Sequence, residues 1–414
     1  MQYLKLKDLC TDIIDCPHST PEWKNEGIRV VRNFNLNNGV LDFNDGYYVD
    51  EKTYVERTKR AIPEENDIIV SREAPMGVVG IVPKGLRCCL GQRLVLLKVN
   101  KNKCNPHYLL FTLMSEFVQT QFKRADATGS IVSNLCIPDL KELIIPVVES
   151  GQEKISEFLK TINNKISINN KINDNLEQQM KLLYDYWFTQ FDFPNQDGKA
   201  YKSSNGNMVY SEELKCNIPV GWNVTTLDQL INFLSGFSFS SDLYSQEGMY
   251  KLLTIKNVQD TGINTNVDNF IQNPPYNVPD YCYLKPKDIL LSLTGNVGRI
   301  GIIYTDNCLL NQRVCLLEPK NKQFIPYVYC LMKSEKIRKS MEVIAGGSSQ
   351  KNLSPIETGK ILVPYNEKVV SHFSSLYNTI LDTIVKNLYE NEKLYKLRDW
   401  LLPMLMNGQA TIED

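Results

Sequence analysis

The stretch Asp67-Ile-Ile-Val-Ser71 and the stretch Asp288-Ile-Leu-Leu-Ser292 share one pattern: an aspartate, three aliphatic residues and a serine. Two glycines follow each stretch at the same spacing, Gly77 and Gly80 in the first, Gly298 and Gly301 in the second. The stretches lie about 220 residues apart, far more than the roughly 20–50 residues of a solenoid unit. The pattern therefore predicts a duplication of whole domains rather than an array of short repeats.

Further matches extend the repeat on both sides, in the same order and at nearly the same offset. They pair Leu6-Lys-Asp-Leu9 with Leu227-Asp-Gln-Leu230, Gln92-Arg93 with Gln312-Arg313, and Asn134-Leu135 with Asn352-Leu353. Within each copy, short apolar runs bounded by Gly, Pro and Asn predict strands, and one helix is predicted over 106–123 and over 326–341. This mixture indicates an α+β domain, and two such copies are expected to be related by pseudo-twofold symmetry.

After each domain, mainly apolar residues recur with the alternating spacings of three and four that are typical of coiled coils. In the first segment the positions are Ile155, Leu159, Ile162, Ile166, Asn169, Asn173, Leu176, Met180, Leu183 and Trp187; in the second they are Val369, Phe373, Leu376, Ile380, Thr383, Asn387, Glu390, Leu394, Leu397 and Leu401. Each helix would be about 50 Å long, which is longer than its domain is wide, so it needs another long helix to pack on. The sequence predicts an antiparallel coiled coil whose central asparagines fix the register. Two amphipathic helices, each packed on its own domain, are the alternative.

These predictions divide the chain into six parts. The first domain covers 1–148 and its helix 149–188; the second covers 222–365 and its helix 366–408; a tail follows over 409–414. The coiled coil is expected to separate the two domains. The stretch 189–221, rich in Asp, Asn, Gly, Ser and Lys, is expected to be an extended linker.

Composition narrows the class of protein. Hydrophobic residues make up 43% and charged residues 22%, as is typical of a globular chain. No apolar run approaches the roughly 20 residues that span a bilayer, and no signal-peptide core is present, so a cytoplasmic location without membrane contact is expected. The 11 cysteines, none in a CxxC pair, and the 3 histidines predict reduced thiols and no metal site. The formal net charge of −1 leaves any affinity for nucleic acid to local basic groups or to partner subunits.

The duplicated domain–helix architecture and several local phrases resemble the specificity subunits of Type I restriction–modification systems. The run from Asp288 to Gly298 resembles the strand and Gly loop of that family, and Ile218-Pro-Val-Gly-Trp222 resembles the phrase that opens its second recognition domain. The polar loop over 346–352, followed by Ile361-Leu-Val-Pro364 and a helix, is similar to the family's exit into its conserved helical region. The resemblance covers nearly the whole chain.

This resemblance implies both architecture and function. In that family each globular copy is a target recognition domain that binds one half of a bipartite target in double-stranded DNA, and the subunit has no catalytic residues. The helices set the gap between the halves and dock two methyltransferase (modification) subunits, which bind S-adenosylmethionine and methylate adenine N6. Restriction/translocase subunits, which use ATP and Mg²⁺, complete the system, so no cofactor is expected on this chain.

Sequence-specific DNA binding needs Arg, Lys, Asn and Gln on loops that reach base edges, with further cations near phosphates. In the first copy the candidates are Arg32, Asn33, Arg72, Lys123, Arg124, Ser130 and Asn134. In the second copy they are Lys256, Asn257, Arg338, Lys339, Ser348, Ser349, Gln350, Lys351 and Asn352. The matched pairs Gln92-Arg93 and Gln312-Arg313 favour a structural role at least as much, because two different half-sites need different contacts.

Two other functions stay open. Asn273-Pro-Pro-Tyr276 is the four-residue signature of adenine-N6 methyltransferases, in which the tyrosine stacks on a flipped base, but no Gly-rich cofactor loop precedes it. The run from Gly295 to Gly301 resembles a nucleotide-binding loop, but a strand is predicted after it, which favours a tight hairpin turn. The other function is that of a coiled-coil scaffold that binds protein only.

Overall fold

The computed structural model describes residues 1–43, 46–73, 75–126, 135–346, 352–406 and 408–412. The chain divides into two units, Met1–Ile166 with Lys393–Asp414, and Ser167–Glu392. Each unit holds one copy of the repeat. Among the described residues, no helix combines the length and the apolar character needed to cross a membrane.

The first copy is built mainly of short strands. They are β1 (Gln2–Lys5), β2 (Cys10–Asp15), β3 (Ile28–Val31), β4 (Leu36–Asn37), β5 (Val40–Leu41), β6 (Tyr48–Val49), β7 (Ile68–Ser71), β8 (Val79–Ile81), β9 (Cys88–Leu90), β10 (Leu94–Val99) and β11 (Ile144–Val147). The helices are α1 (Leu6–Leu9), α2 (Glu51–Arg57), α3 (Pro106–Met114), α4 (Glu116–Asp126), α5 (Ile137–Glu142) and the long α6 (Gln152–Tyr184), which ends in a π-helical turn, Asp185–Thr189.

The second copy follows the same plan. Its strands are β12 (Met208–Ser211), β13 (Cys216–Pro219), β14 (Asn223–Thr226), β15 (Ile231–Ser235), β16 (Tyr250–Leu253), β17 (Val258–Gln259), β18 (Gly262–Ile263), β19 (Phe270–Ile271), β20 (Tyr283–Leu284), β21 (Ile289–Ser292), β22 (Ile300–Ile302), β23 (Cys308–Leu310), β24 (Val314–Pro319) and β25 (Leu362–Tyr365). The helices are α7 (Leu227–Leu230), α8 (Ile325–Lys333), α9 (Glu335–Ala345), α10 (Pro355–Gly359) and the long α11 (Glu367–Met406).

The two copies share one sheet topology, which confirms the predicted duplication and the α+β class. The main antiparallel sheet has the order β2-β10-β7-β8 in the first copy and β15-β24-β21-β22 in the second. The registers agree, since Ile68 lies opposite Leu97 and Ile289 lies opposite Leu317. All four of these side chains are buried, because a sheet with one face on helices needs apolar residues there.

The Asp–Ser stretch that marks the repeat forms the same hairpin twice. Ser71 Oγ donates to Pro75 O at 2.6 Å, and Ser292 Oγ donates to Asn296 O at 2.6 Å. Each turn then passes through a glycine of positive φ, 79° at Gly77 and 81° at Gly298, a conformation that favours glycine. The hairpin turn predicted in place of a nucleotide-binding loop is therefore confirmed.

The prediction of one helix per copy over 106–123 and 326–341 is wrong, because a serine divides each helix in two. Ser115 separates α3 from α4 with ψ 150°, and Ser334 separates α8 from α9 with ψ 147°. The Ser115 hydroxyl donates to Thr112 O at 2.6 Å, and the Ser334 hydroxyl accepts from Ile337 N at 3.5 Å. Serine competes with helical backbone hydrogen bonds in this way, which the apolar periodicity does not show.

The long helices α6 and α11 pair with each other, as predicted, and they run antiparallel. Within the second unit, Asn169 Nδ2 donates to Asn391 Oδ1 at 2.9 Å, and Asn387 Nδ2 donates to Asn173 Oδ1 at 2.9 Å. Residue numbers therefore rise along α6 while those of the partners on α11 fall. The alternative, in which each helix packs only on its own domain, is wrong.

The predicted seam of α6 is largely correct, but that of α11 lies one residue too early. Leu376 and Leu397 are 49% and 41% exposed, whereas Tyr377 and Arg398 are buried. Leu376-Tyr377 and Ile380-Leu381 each offer two apolar neighbours, so spacing alone cannot choose between them. Buried polar residues such as Arg398 are also missed by a search for apolar positions.

The prediction of an extended linker over 189–221 is wrong. The rings of Phe191 and Phe193 lie 5.4 Å and 5.3 Å from that of Trp222, and all three side chains are buried in the core of the second unit. Strands β12 and β13 form an antiparallel hairpin within the same stretch. The polar composition conceals a few aromatic residues that are sufficient to anchor the segment.

Candidate nucleic-acid interface

Arg32, at the end of β3, lies among three aromatic side chains of the first unit. Its guanidinium carbon lies 4.3 Å from the ring centroid of Tyr47, 4.8 Å from that of Phe34 and 5.4 Å from that of Trp23. The Tyr47 ring in turn packs against those of Trp23 and Phe34, with centroids 4.9 Å and 5.6 Å apart. Attraction of the cation to three ring faces holds the guanidinium in place. We call these four residues the arginine cradle.

Asn33 connects the cradle to its surroundings. Its Nδ2 donates to Glu73 O at 2.9 Å, whereas its Oδ1 is buried and accepts no hydrogen bond. The Glu73 carboxylate pairs with Arg93 Nε at 2.9 Å. Arg32, Asn33, Gln92 and Arg93 line one cavity, so the structure brings together two candidates and one matched pair.

The matched Gln–Arg pairs make an equivalent backbone contact in the two copies. Arg72 N donates to Arg93 O at 2.8 Å, and Leu293 N donates to Arg313 O at 3.1 Å, so both copies use the arginine carbonyl to fix the end of a strand. In the first copy the Gln92 amide also donates to His18 O. These contacts set the local backbone before any ligand is bound.

Two candidates for DNA contact hold loops together. Arg72, 11% exposed, pairs with Asp15 Oδ1 at 2.7 Å and donates to Leu135 O at 2.9 Å. Asn257 is 5% exposed, and its amide donates to Asn264 O at 2.9 Å. Asn257 is buried and both side chains are already bonded within the protein, which favours a structural role for them, and their contact with DNA stays a prediction.

The structural equivalent of Asn257 is Asn35, two residues beyond the Asn33 that the sequence suggests. Arg32 N donates to Asn35 Oδ1 at 2.8 Å, and Thr254 N donates to Asn257 Oδ1 at 2.9 Å. Asn35 is as buried as Asn257. In this loop Arg32 is therefore matched by Thr254, so the two copies present different side chains on one backbone frame.

In the second unit, charged side chains gather around the β21–β22 hairpin. Arg299 forms two hydrogen bonds to the Asp260 carboxylate, at 2.9 Å and 2.6 Å, and lines a cleft with Lys256. Lys256 is exposed and lies 2.9 Å from Asp268, which raises the pKa of its amine. Arg338 lines a neighbouring cleft that shares Asp260 and Arg299. The structure thus places Lys256 and Arg338 at adjoining clefts.

The remaining basic candidates lie exposed on two equivalent helices. Lys123 and Arg124 are on α4, and Arg338 and Lys339 are on α9. On α9, Arg338 pairs with Glu342 at 3.5 Å and Lys339 with Glu335 at 2.7 Å. Exposed pairs of this kind contribute little free energy, about 0–1 kcal/mol, so they do not prevent contact with phosphates.

The two polar loops after these helices carry most of the other candidates. Ser130, Asn134, Ser348, Ser349, Gln350 and Lys351 lie outside the described residues, and their roles stay predictions. Asn352 is described: it is exposed and forms an antiparallel bridge with Thr294. This bridge places the end of the second loop beside the β21–β22 hairpin.

The methyltransferase-like run Asn273–Tyr276 lies in a surface turn. It follows β19, a two-residue strand at the edge of its sheet, and Val278 N donates to Pro275 O at 3.2 Å. The Tyr276 side chain is fully exposed. A catalytic tyrosine of that motif would lie in a pocket beside a cofactor site, so the geometry does not favour this function.

Sequence reasoning missed the aromatic residues of the cradle. Trp23 and Phe34 are 37% and 49% exposed, so neither ring belongs to a hydrophobic core. The available signal was their position in polar segments next to Arg32, but three separate segments had to be brought together to show a site.

A family model described as the Type I restriction modification DNA specificity domain matches residues 1–178 and 219–390, well over half of the chain. The chain belongs to this family. The match is in two parts, and each part covers one specificity domain and more than half of one long helix.

Individual relatives of this specificity-domain chain agree with the family match. It is 25% identical over 375 residues to the Type I restriction enzyme MjaIX specificity subunit of Methanocaldococcus jannaschii, with 88% of this chain and 82% of that protein covered. It is 21% identical to the HindI specificity subunit of Haemophilus influenzae, with 77% and 80% covered. The crystal structure of a Type I restriction–modification S subunit from M. genitalium has the same fold, with a TM-score of 0.52, 21% identity and coverage of 98% and 95%.

Proposed function

We propose that this chain is the subunit that gives a Type I restriction–modification complex its DNA sequence specificity. Each domain binds one half of a bipartite target in double-stranded DNA, and the paired helices set the gap and dock two methyltransferase subunits. The chain itself is non-catalytic. S-adenosylmethionine, ATP and Mg²⁺ belong to the partner subunits.

One observation carries this proposal: a single backbone frame occurs twice with different side chains at the loop positions. The hairpin at Gly77 and Gly298 is the same, whereas Arg32 in the first copy is matched by Thr254 in the second. Binding of two different half-sites needs this combination, because position is fixed by the frame and sequence by the side chains.

One observation weighs against the methyltransferase alternative. The methyltransferase-like run ends in a fully exposed tyrosine, where a flipped base would have no pocket to enter. Family membership supports a division of work in which this chain recognises DNA and partner subunits carry out the chemistry.

The test is to express the chain with its methyltransferase partner and map methylated adenines across a genome. We expect one bipartite motif with a fixed gap. Exchange of the first unit, Met1–Ile166 together with Lys393–Asp414, for that of a relative with another target should change one half-site only. Both segments are exchanged because Leu402 and Leu405 belong to the first domain's core.

Other outcomes separate the competing functions. Methylation by the chain without a partner would identify it as a methyltransferase. A chain that binds the partner but yields no motif would be a protein scaffold. A matched control is Asn273→Ala in the full complex, which we expect to leave both motif and rate unchanged.

A further inference from the structure

The guanidinium of Arg32 is held in position but is not neutralised. No carboxylate within the described ranges forms an ion pair with it, and the nearby acid, Glu73, is engaged by Arg93 at 2.9 Å. Contacts with the rings of Tyr47, Phe34 and Trp23 hold the guanidinium in place beside the cavity that Arg32 lines. An arginine fixed in this way loses little further entropy when it donates two parallel hydrogen bonds.

The cradle opens to solvent on its aromatic side. Trp23 is 37% exposed and Phe34 is 49% exposed, and with Arg32 they line one side of the cavity that also contains Gln92. Within the described ranges the cation has no carboxylate partner, and two of the rings beside it are open to solvent. A ligand can therefore reach the arginine and the rings together.

The second copy has no such group at the equivalent position. Thr254 takes the place of Arg32, and its hydroxyl donates to Asn257 Oδ1 at 3.1 Å inside its own loop. The one donor of its hydroxyl is thus used within the loop. A contact that exists in one copy only is what recognition of two unlike half-sites requires.

We propose that Arg32 recognises a guanine in the half-site bound by the first domain, donating one hydrogen bond to O6 and one to N7. This inference rests on the proposed DNA-binding function. Arginine bonded to both atoms is the commonest specific contact in the major groove. A phosphate is the less suitable ligand, because it would lie against ring faces that carry partial negative charge, whereas a flat base edge fits beside them.

The first test uses Arg32→Ala and Arg32→Lys in the full complex, with genome-wide mapping of methylated adenines. Both variants should lose preference for guanine at one position of one half-site by roughly 5- to 150-fold, the range of one bidentate arginine–guanine pair. The other half-site should be unchanged, which shows that each variant still folds and assembles. Lysine should fail like alanine because it lacks the planar two-donor edge.

The matched control is Arg87→Ala. Arg87 also stacks on a ring of the first unit, with its guanidinium carbon 4.4 Å from the centroid of Tyr54, but it is paired with Glu51. Loss of this arginine removes the same charge from the same domain. We expect the motif to stay intact.

A second measurement does not depend on catalysis. Binding of the complex to a target duplex is compared with binding to a duplex that has 7-deazaguanine at the proposed position, which lacks the N7 acceptor. The wild type should bind the substituted duplex more weakly, whereas Arg32→Ala should bind both equally.

Several results would overturn the inference. One is equal sensitivity of the wild type and Arg32→Ala to 7-deazaguanine, and another is a first half-site without guanine. A third is weaker binding of Arg32→Ala at all targets alike, with Arg32→Lys close to the wild type, which would assign Arg32 to a phosphate. A wild-type complex that yields no bipartite motif would instead refute the proposed function itself.

Discussion

At the scale of single residues, the repeat allows matched positions to be compared within one protein. Asp67 Oδ2 accepts from Glu64 N at 2.7 Å, and Asp288 Oδ2 accepts from Lys285 N at 2.7 Å. Burial raises the pKa of both carboxyl groups. Only the surroundings differ, because Asp67 also forms an ion pair with Lys98 at 2.7 Å, whereas no ion pair to Asp288 is present among the described residues.

A raised pKa in the folded state means that folding favours the protonated form of Asp288. This stabilisation is fully present below the unfolded-state pKa of about 3.9 and is lost as pH rises through the folded-state pKa. Asp288→Asn keeps the acceptor without the charge, so at pH 7 we expect a free energy of unfolding at or above that of the wild type. The difference should vanish near pH 4, as measured by urea denaturation at a series of pH values.

The first copy supplies the control for this prediction. The pKa of Asp67 is also raised, but the ion pair with Lys98 offsets part of the cost of burying the carboxylate, so at pH 7 Asp67→Asn should gain less free energy of unfolding than Asp288→Asn. Asp288→Ala should lower it by about 1 kcal/mol through loss of the backbone hydrogen bond. A less stable Asp288→Asn variant at pH 7 would contradict the role given to burial.

The sequence identified these aspartates as markers of the repeat but not their environment. It also proposed Arg32 as a DNA contact. The aromatic rings around Arg32 come from separate segments, and only the fold shows that these segments lie close together. Arg72 and Asn257 were proposed for their chemistry, and the fold shows that both side chains already form hydrogen bonds within the protein.

At the scale of elements, a polar layer lies inside the helix pair. Asn391 accepts from Asn169 at 2.9 Å and donates to Asn170 Oδ1 at 2.7 Å, and Asn169 also donates to Glu390 at 2.7 Å. Asn169 and Asn391 are almost fully buried. Buried asparagines that bond only in one alignment fix the register of a coiled coil at some cost in stability.

We expect Asn391→Ala to lower the free energy of unfolding by about 1 kcal/mol, because the buried amide of Asn169 loses one of its two acceptors. Replacing both Asn169 and Asn391 by leucine should restore stability or exceed it, because the two buried amides are removed together. Urea denaturation measures both. The control is Lys386→Ala, which changes an exposed position of α11. Equal losses of unfolding free energy in Asn391→Ala and in this control would refute a role of the polar layer in stability.

The long helices show when a sequence pattern is sufficient to predict which residues lie in the helix interface. The seam of α6 was predictable because polar residues flank its apolar positions, and the seam of α11 was not, because pairs such as Leu376 and Tyr377 make two registers equally apolar. The helix breaks at Ser115 and Ser334 depend on local hydrogen bonds that periodicity does not contain.

At the scale of the whole molecule, the near-neutral charge has a measurable consequence. With a net charge of −1, the chain has no excess of basic over acidic side chains to attract phosphates. Each phosphate contact contributes about 0.9 to the slope of log K against log salt. We expect the complex with methyltransferase subunits to show a slope several units steeper than the chain alone, measured by fluorescence anisotropy on a target duplex over a series of NaCl concentrations.

Equal slopes for the chain and the complex would mean that the partners add no phosphate contacts. A duplex without the target motif is the control, since it reports the non-specific term alone. From composition the sequence assigned affinity for nucleic acid to local basic groups or to partner subunits, and it predicted two domains from the repeat. It did not predict that residues near 402 complete the first domain, because periodicity shows that a face is buried but not what covers it.

That last contact has a consequence for synthesis on the ribosome. Leu402, Leu405 and Met406 are buried in the hydrophobic core of the first domain, whereas the second unit is continuous from Ser167 to Glu392. The N-terminal domain emerges first but must wait for nearly the whole chain before its core can close. During that interval its apolar surface is exposed to chaperones and to aggregation, so a chain that stalls late in translation would display a complete second unit beside an unfinished first one.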